Sequence, residues 1–196
     1  MKILTSLLWV VAASLILSIQ AADVRLLGIS KIEDYIQDEE GPPVLNNPGA
    51  FSFYAFVDLA NENSVLAAAV YDPEGNSALL EKSQPLTLDY LDYYDNPTQL
   101  DFWYPPGLYY IEVATRNDGQ GFIPFDLPQT FNPNAPRVLN WGEMQRLPAD
   151  QSVEIRWEPF AEGTVNDFIS LTITDLEGNV VFKTPDPGKD PKALRG

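Results

Sequence analysis

The densest run of chemically capable side chains is L-D-Y-L-D-Y-Y-D-N-P-T-Q-L-D-F-W-Y, from Leu88 to Tyr104. Aromatic rings stack on the C–H faces of sugars, while neighbouring carboxylates and amides bond the hydroxyls. On that chemistry Asp92, Tyr93, Tyr94, Asp95, Asn96, Trp103 and Tyr104 form a candidate ligand-binding set. The same residues also fit a packed strand, because aromatics are favoured strand formers that fill cores. Both readings stand at this level: a carbohydrate site, or an interior. Asp89, Asp92, Asp95 and Asp101 could supply oxygen ligands to Ca²⁺, as could Asp34, Asp38, Glu39 and Glu40 ahead of Gly41. No Asp-x-Asp-x-Asp-Gly loop is present, and solvated acidic loops are the ordinary use of such residues.

Two zeros in the composition remove whole classes of chemistry. With no His and no Cys, Ser-His-Asp and Cys-His nucleophile systems are excluded, as are zinc sites built on those ligands and every disulfide. Paired carboxylates remain as a route to glycoside hydrolysis, but nothing in the sequence selects a pair. Ser-x-x-Lys and Asp-Thr-Gly signatures and glycine-rich phosphate loops are absent. The expectation is a non-enzymatic protein with no cofactor, calcium aside. Twelve Lys and Arg against 28 Asp and Glu give a net charge of −16, which repels nucleic acid and anionic lipid.

These side chains must be positioned by something, and the first segment is not part of it. Met1 to Ala22 places Lys2 before about 17 mostly apolar residues and ends on Ala21 and Ala22, the layout of a secretory signal peptide. An exported protein is expected, periplasmic, cell-surface or extracellular, with a mature chain from Ala22 and no membrane span after removal of residues 1–21.

The rest reads as strands. Phe51 to Leu59 alternates Phe51, Phe53, Ala55, Val57 and Leu59 against Ser52, Tyr54, Phe56 and Asp58. Further strands are predicted at Val24 to Ile32, Val65 to Tyr71, Ala78 to Lys82, Leu86 to Leu91, Leu100 to Trp103 and Leu108 to Thr115. Glu33 to Ala50, acidic and then rich in Gly, Pro and Asn, reads as a long exposed loop in which Glu33 to Gln37 could hide a helical turn. Phe160 to Asp167 could hide another. Many short strands between Gly, Pro and Asn predict an all-β chain of two antiparallel sandwiches. Residues 22–127 would form the first. Pro128 to Pro136 is a Pro- and Asn-rich linker, and residues 137–196 would form the second, with strands at Arg137 to Trp141 and Ser152 to Pro159.

One punctuation occurs twice. D-P-E-G-N at Asp72 to Asn76 returns as D-L-E-G-N at Asp175 to Asn179. Each predicts a type I turn in which the Asp side chain bonds the N–H two residues on and the Gly adopts positive φ, so each should join adjacent antiparallel strands.

After the first copy comes Y-P-P-G-L-Y-Y-I-E-V-A-T-R, Tyr104 to Arg116. Proline, glycine and then an inward Tyr109 resembles the late strand of immunoglobulin-like and fibronectin type III-like sandwiches, where such a Tyr bonds across a corner. Trp157, Pro159 and then F-I-S-L-T-I-T-D from Phe168 resembles the first half of a fibronectin type III-like domain. The pair is similar to two-module exported bacterial proteins of unknown function. The resemblance implies a structural or protein-interaction role through loops and strand edges, and no catalytic residues. A carbohydrate-binding module around Tyr93 to Tyr104 is the alternative.

By the spacing of the first module, the second would need another strand near residue 210, past Gly196. Val153, Ile155, Trp157, Ile169, Leu171, Ile173, Val180 and Phe182 would then line one uncovered sheet face. At about 2 kcal/mol each that is on the order of 15 kcal/mol of burial, as much as the whole net stability of a domain. The expectation is an incomplete second sandwich, a fragment, covered by missing C-terminal strands, by a partner, or by the first module.

Overall fold

The computed structural model of the chain describes residues 7–17, 22–127, 135–145, 154–160, 167–175 and 177–184. The fold is all-β with antiparallel sheets. In chain order its elements are β1 Leu7–Leu17, β2 Val24–Gln37, β3 Val44–Leu45, β4 Phe51–Leu59, β5 Val65–Tyr71, β6 Ser77–Leu79, β7 Glu81–Gln84, β8 Thr87–Tyr94, α1 Pro97–Trp103, β9 Gly107–Thr115, β10 Gln120–Leu127, α2 Trp141–Met144, β11 Asp167–Thr174 and β12 Val180–Lys183. They form two compact units with interleaved chain segments. The central unit is Ala13–Ile32 with Phe51–Phe131; the terminal unit is Met1–Ala12 with Glu33–Ala50 and Asn132–Gly196.

In the central unit one sheet runs β2-β4-β8-β7 and the other β10-β9-β5-β6. β4 pairs with β8 from Phe51↔Tyr94 to Asp58↔Thr87, and β9 pairs with β5 and β10. Leu27, Ile29, Phe53, Val57, Tyr109, Ile111 and Phe125 are buried, and the Phe53 and Tyr109 rings, one from each sheet, lie 5.7 Å apart. β4 departs from a one-sided strand: Ser52, Phe56 and Asp58 are buried as well. Asp58 is held there by Arg25, 3.3 Å away, and by the Thr87 hydroxyl at 2.8 Å, which satisfies a carboxylate that burial alone would disfavour.

In the central unit three segments differ from the sequence expectation, each for a local reason. Ala78 to Lys82 is not one strand but two, because β6 pairs with β5 and β7 with β8, the chain changing sheets at buried Leu80. Leu100 to Trp103 is not a strand but the end of α1. Asn96 caps that helix by accepting from Gln99 N at 2.9 Å, and Pro97 opens it, the residue types that favour a helix start. β10 was not anticipated. Its Pro124 removes a donor, and an outer position in the sheet tolerates that.

The two repeated turns are superposable in their bonding. Asp72 Oδ1 accepts from Glu74 N at 2.9 Å and Asn76 N at 2.8 Å; Asp175 Oδ1 accepts from Glu177 N at 2.9 Å and Asn179 N at 2.8 Å. Gly75 and Gly178 take φ of 89° and 84°, where an L side chain is strained. The Asn179 side-chain and backbone hydrogen bonds hold the Asp175 carboxyl below its ordinary range.

The terminal unit corrects the expectation of a long loop over Glu33 to Ala50. β2 continues as strand to Gln37, with no helical turn, and pairs with β3 at Tyr35↔Leu45 and Ile36↔Val44. Buried Gln37 then acts as a substitute strand. Its Oε1 accepts from Val138 N at 2.8 Å and its Nε2 donates to Val138 O at 3.3 Å. Only Val138 of Arg137 to Trp141 is strand-like, bridged to Trp157, and α2 starts at Trp141. Ala135, Val138, Trp141, Met144, Ile169, Leu171 and Ile173 form a buried cluster, with Tyr35, Ile155, Trp157 and Phe160 packed on it.

The apolar face expected to lie open is therefore partly closed by the chain itself. Ile169, Leu171 and Ile173 are under cover, but Val180 at 60% and Phe182 at 45% exposure are not. β12 is the outermost strand of its sheet among the described residues, and all four of its residues are exposed. Val153, Pro128 to Asn134 of the linker, and most of Phe160 to Asp167 lie outside the described residues. Leu7–Leu17, within the segment predicted as a leader, is a strand placed between β11 and β2 in the sheet order.

Candidate functional site

The Tyr104 to Gly107 corner organises one end of the central unit. Tyr109, fully buried, donates its hydroxyl to Pro105 O at 2.7 Å, a bond back across the corner to a residue four earlier. Burial, reinforced by the carboxylates of Asp72, Asp101 and Glu74, raises the Tyr109 phenol above its ordinary range. Gly107, at φ 145°, lets Pro73 of the first Asp-Pro-Glu-Gly turn approach so closely that a Cβ there would lie 2.9 Å from Pro73 Cγ. The turn and the corner thereby meet.

Between them lies an open cleft of about 440 Å³. Its floor is a cluster of phenols around one carboxylate. Asp92 Oδ2 accepts from Tyr94 OH at 2.6 Å, Tyr104 OH at 3.2 Å and Tyr90 OH at 3.5 Å, while Tyr90 and Tyr104 share a hydroxyl contact at 3.0 Å. Tyr104 stacks on Phe53 at 3.9 Å and 3° and meets Tyr94 edge-on at 6.1 Å. Burial first, then the hydrogen bond to Asp92, raises the Tyr94 phenol; burial and the Tyr90 contact raise that of Tyr104. α1 contributes Phe102 and Trp103 to the lining; they are 74% and 60% exposed and set edge-to-face at 5.2 Å. Asp72, Glu74, Asn76 and Ser77 also line the cleft.

Of the residues predicted from sequence, Asp92, Tyr94, Trp103 and Tyr104 come together at the cleft. Tyr93, Asp95 and Asn96 are not part of its lining. Tyr93 alternates with Asp92 and Tyr94 along β8 and is 57% exposed, and Asn96 is spent on capping α1. The residues that sequence reasoning missed are Phe53, Val70, Tyr90, Phe102 and Tyr109, with Asp72, Glu74, Asn76, Ser77 and Ala78 of the first turn and the strand after it. Tyr90 was accessible from the period of two along β8, since it shares a side with Asp92 and Tyr94. The turn and strand residues carried no signal, because only folding brings them near.

The carboxylates proposed for calcium are distributed among separate partners. Asp89 accepts from Ser83 Oγ at 2.6 Å, Asp101 pairs with Lys31 at 2.5 Å, and Asp92 serves the phenols. Among the described residues, no group of three or more His, Cys, Asp or Glu side chains converges to hold a metal ion, and no helix is long and apolar enough to cross a membrane.

An all-β chain with an aromatic, carboxylate-bearing cleft is the class that these features define. Compared with protein-family models, with curated proteins and with solved structures, the chain finds no match.

Proposed function

We propose that the chain is an exported, non-enzymatic interaction module of the periplasm or cell surface, and that the central unit is an immunoglobulin-like or fibronectin type III-like β-sandwich. The corner bond from Tyr109 to Pro105 supports the sandwich reading. The observation that carries the functional reading is the exposure of Phe102 and Trp103 on a short capped helix that lines the cleft. Large apolar rings held in water on a rigid element are characteristic of contact surfaces. The apolar exposure of Val180, Val181 and Phe182 supports a second contact, in which further strands or a partner cover β12. The leader pattern of residues 1–21 supports export, and cleavage after Ala21 would take β1 out of its sheet.

The test places a photo-crosslinking residue at position 102 of the full chain in its native host, with the same residue at exposed Tyr93 as a control. A discrete polypeptide adduct at 102 and not at 93, from an envelope or secreted fraction, is the expected result. Adducts at neither position, or a protein that stays in the cytoplasm with Met1 attached, would refute the proposal. The carbohydrate reading draws on the same exposed Trp103 and predicts glycan, not polypeptide, at position 102.

A further inference from the structure

The chemistry of the cleft wall goes one step further and says what the partner brings. Among the described residues the lining contains three acidic side chains, Asp72, Glu74 and Asp92, and no Lys or Arg. The chain around it carries a net charge of −16. A concave surface of one sign, with low-dielectric walls, focuses its potential toward the mouth. Two of the three acids are fixed in place before any ligand arrives. Asp72 is tied into its turn by Glu74 N, Asn76 N and Asn76 Nδ2, and Asp92 is tied by the phenols of the floor. Phenols and main-chain amides donate hydrogen bonds to these carboxylates without bringing a positive charge. The aromatic rings contribute in the same sense. The face of Trp attracts cations more strongly than that of any other side chain, and Tyr and Phe follow.

We infer that the cleft receives a basic side chain of a protein partner, held between the exposed rings of Phe102 and Trp103 and the carboxylates of Asp72, Glu74 and Asp92. This inference rests on the interaction reading above and supplies the chemical class of the partner segment. A flat ring face beside fixed carboxylates suits an arginine in particular, because its planar guanidinium stacks on an indole while its N–H groups point outward to acids. An anionic ligand is disfavoured by all three acids. A neutral sugar gains from the rings but nothing from the charge.

The experiment uses the full chain and three probes: the peptide acetyl-Gly-Arg-Gly-amide, the same peptide with norleucine in place of arginine, and a neutral oligosaccharide such as cellotetraose. Binding is located through the indole N–H resonance of Trp103, assigned from Trp103→Phe. The arginine peptide is expected to shift that resonance and to bind roughly threefold to tenfold more tightly than the norleucine peptide, the range of an exposed cation–π contact aided by charge. Higher salt should narrow that gap. Glu74→Gln should weaken the arginine peptide by a similar factor, whereas Asp126→Asn, an equal charge change at an exposed site away from the lining, should not. Trp103→Ala, a change at an exposed position checked by a far-ultraviolet spectrum that should match the parent's, should remove the arginine preference, read by calorimetry. Equal binding of the two peptides overturns the inference, as does equal loss in Glu74→Gln and Asp126→Asn, or stronger binding by the oligosaccharide. If the position-102 adduct forms but the arginine preference is absent, the cation assignment falls and the interaction reading stands. If no adduct forms, that reading falls and the inference falls with it.

Discussion

Replacing Tyr109 by Phe removes one hydroxyl and leaves the ring in a core it already fills. The bond lost is the one to Pro105 O at 2.7 Å. A neutral hydrogen bond of this kind contributes about 0.5–1.5 kcal/mol net, and a fully buried acceptor left without its donor costs about 1–3 kcal/mol. Pro105 is only half-buried, so water can replace part of what its carbonyl loses. The expected destabilisation is therefore about 1–1.5 kcal/mol, from the lower half of that range, or a fall in Tm of roughly 2–6 °C for a chain of this length. Urea unfolding followed by far-ultraviolet circular dichroism should show a lower midpoint with an unchanged slope, since no new surface is exposed. Tyr110→Phe is the control. Tyr110 is exposed on the opposite side of β9, and the change there should stay within about 0.5 kcal/mol. If Tyr109→Phe costs no more than Tyr110→Phe, the corner bond does not stabilise the unit. If it costs more than about 3 kcal/mol, beyond what one hydrogen bond supplies, the ring has moved and the packing argument is wrong.

Other outcomes follow from the same geometry. The phenols of Tyr35, Tyr94, Tyr104 and Tyr109 are all raised by burial. Their contribution to stability is complete below the ordinary phenol range and is lost as pH rises above about 10. In an alkaline titration at 295 nm these four should ionise only together with unfolding. Burial raises the Asp34 carboxyl from 3.8 to about 6, so its contribution is present below about pH 4 and lost between about pH 4 and 6 as the buried group is forced to ionise. Asp34→Asn should therefore raise the melting temperature at pH 7 and flatten that part of the pH profile. Gly107→Ala combines positive φ with a Cβ 2.9 Å from Pro73 Cγ. It should destabilise by more than Gly75→Ala, where φ is 89° but the space is open and left-handed strain of about 1–2 kcal/mol is the main cost; thermal melts of the two variants compare them.

The strands that sequence reasoning located best are those with strong local pattern. β4 and β5 match the expected Phe51 to Leu59 and Val65 to Tyr71, and both Asp-x-Glu-Gly turns bond as their residue types dictate. α1 was misread because four residues, Leu100 to Trp103, cannot distinguish a period of two from a period of 3.6. The decisive signal lay just before them, in Asn96 and Pro97. The cleft was half legible for a different reason. Asp92, Tyr94, Trp103 and Tyr104 are close in sequence, whereas Phe53 enters through the pairing of β4 with β8 and Glu74 through the contact of Pro73 with Gly107. Gln37 gave no local sign of its role either, since its partner Val138 is 101 positions away.

That separation bears on how the chain folds as it is made. At about 5–20 residues per second, Gln37 is synthesised several seconds before the backbone it binds exists. The central unit can close once Phe131 has emerged, but Tyr35 and Gln37 must wait, already anchored through β2, for the chain beyond Asn132. β2 would thus hold Tyr35 and Gln37 in readiness. A released chain truncated after Phe131 should protect the centre of the sheet from proteolysis and leave Glu33–Ala50 open to cleavage.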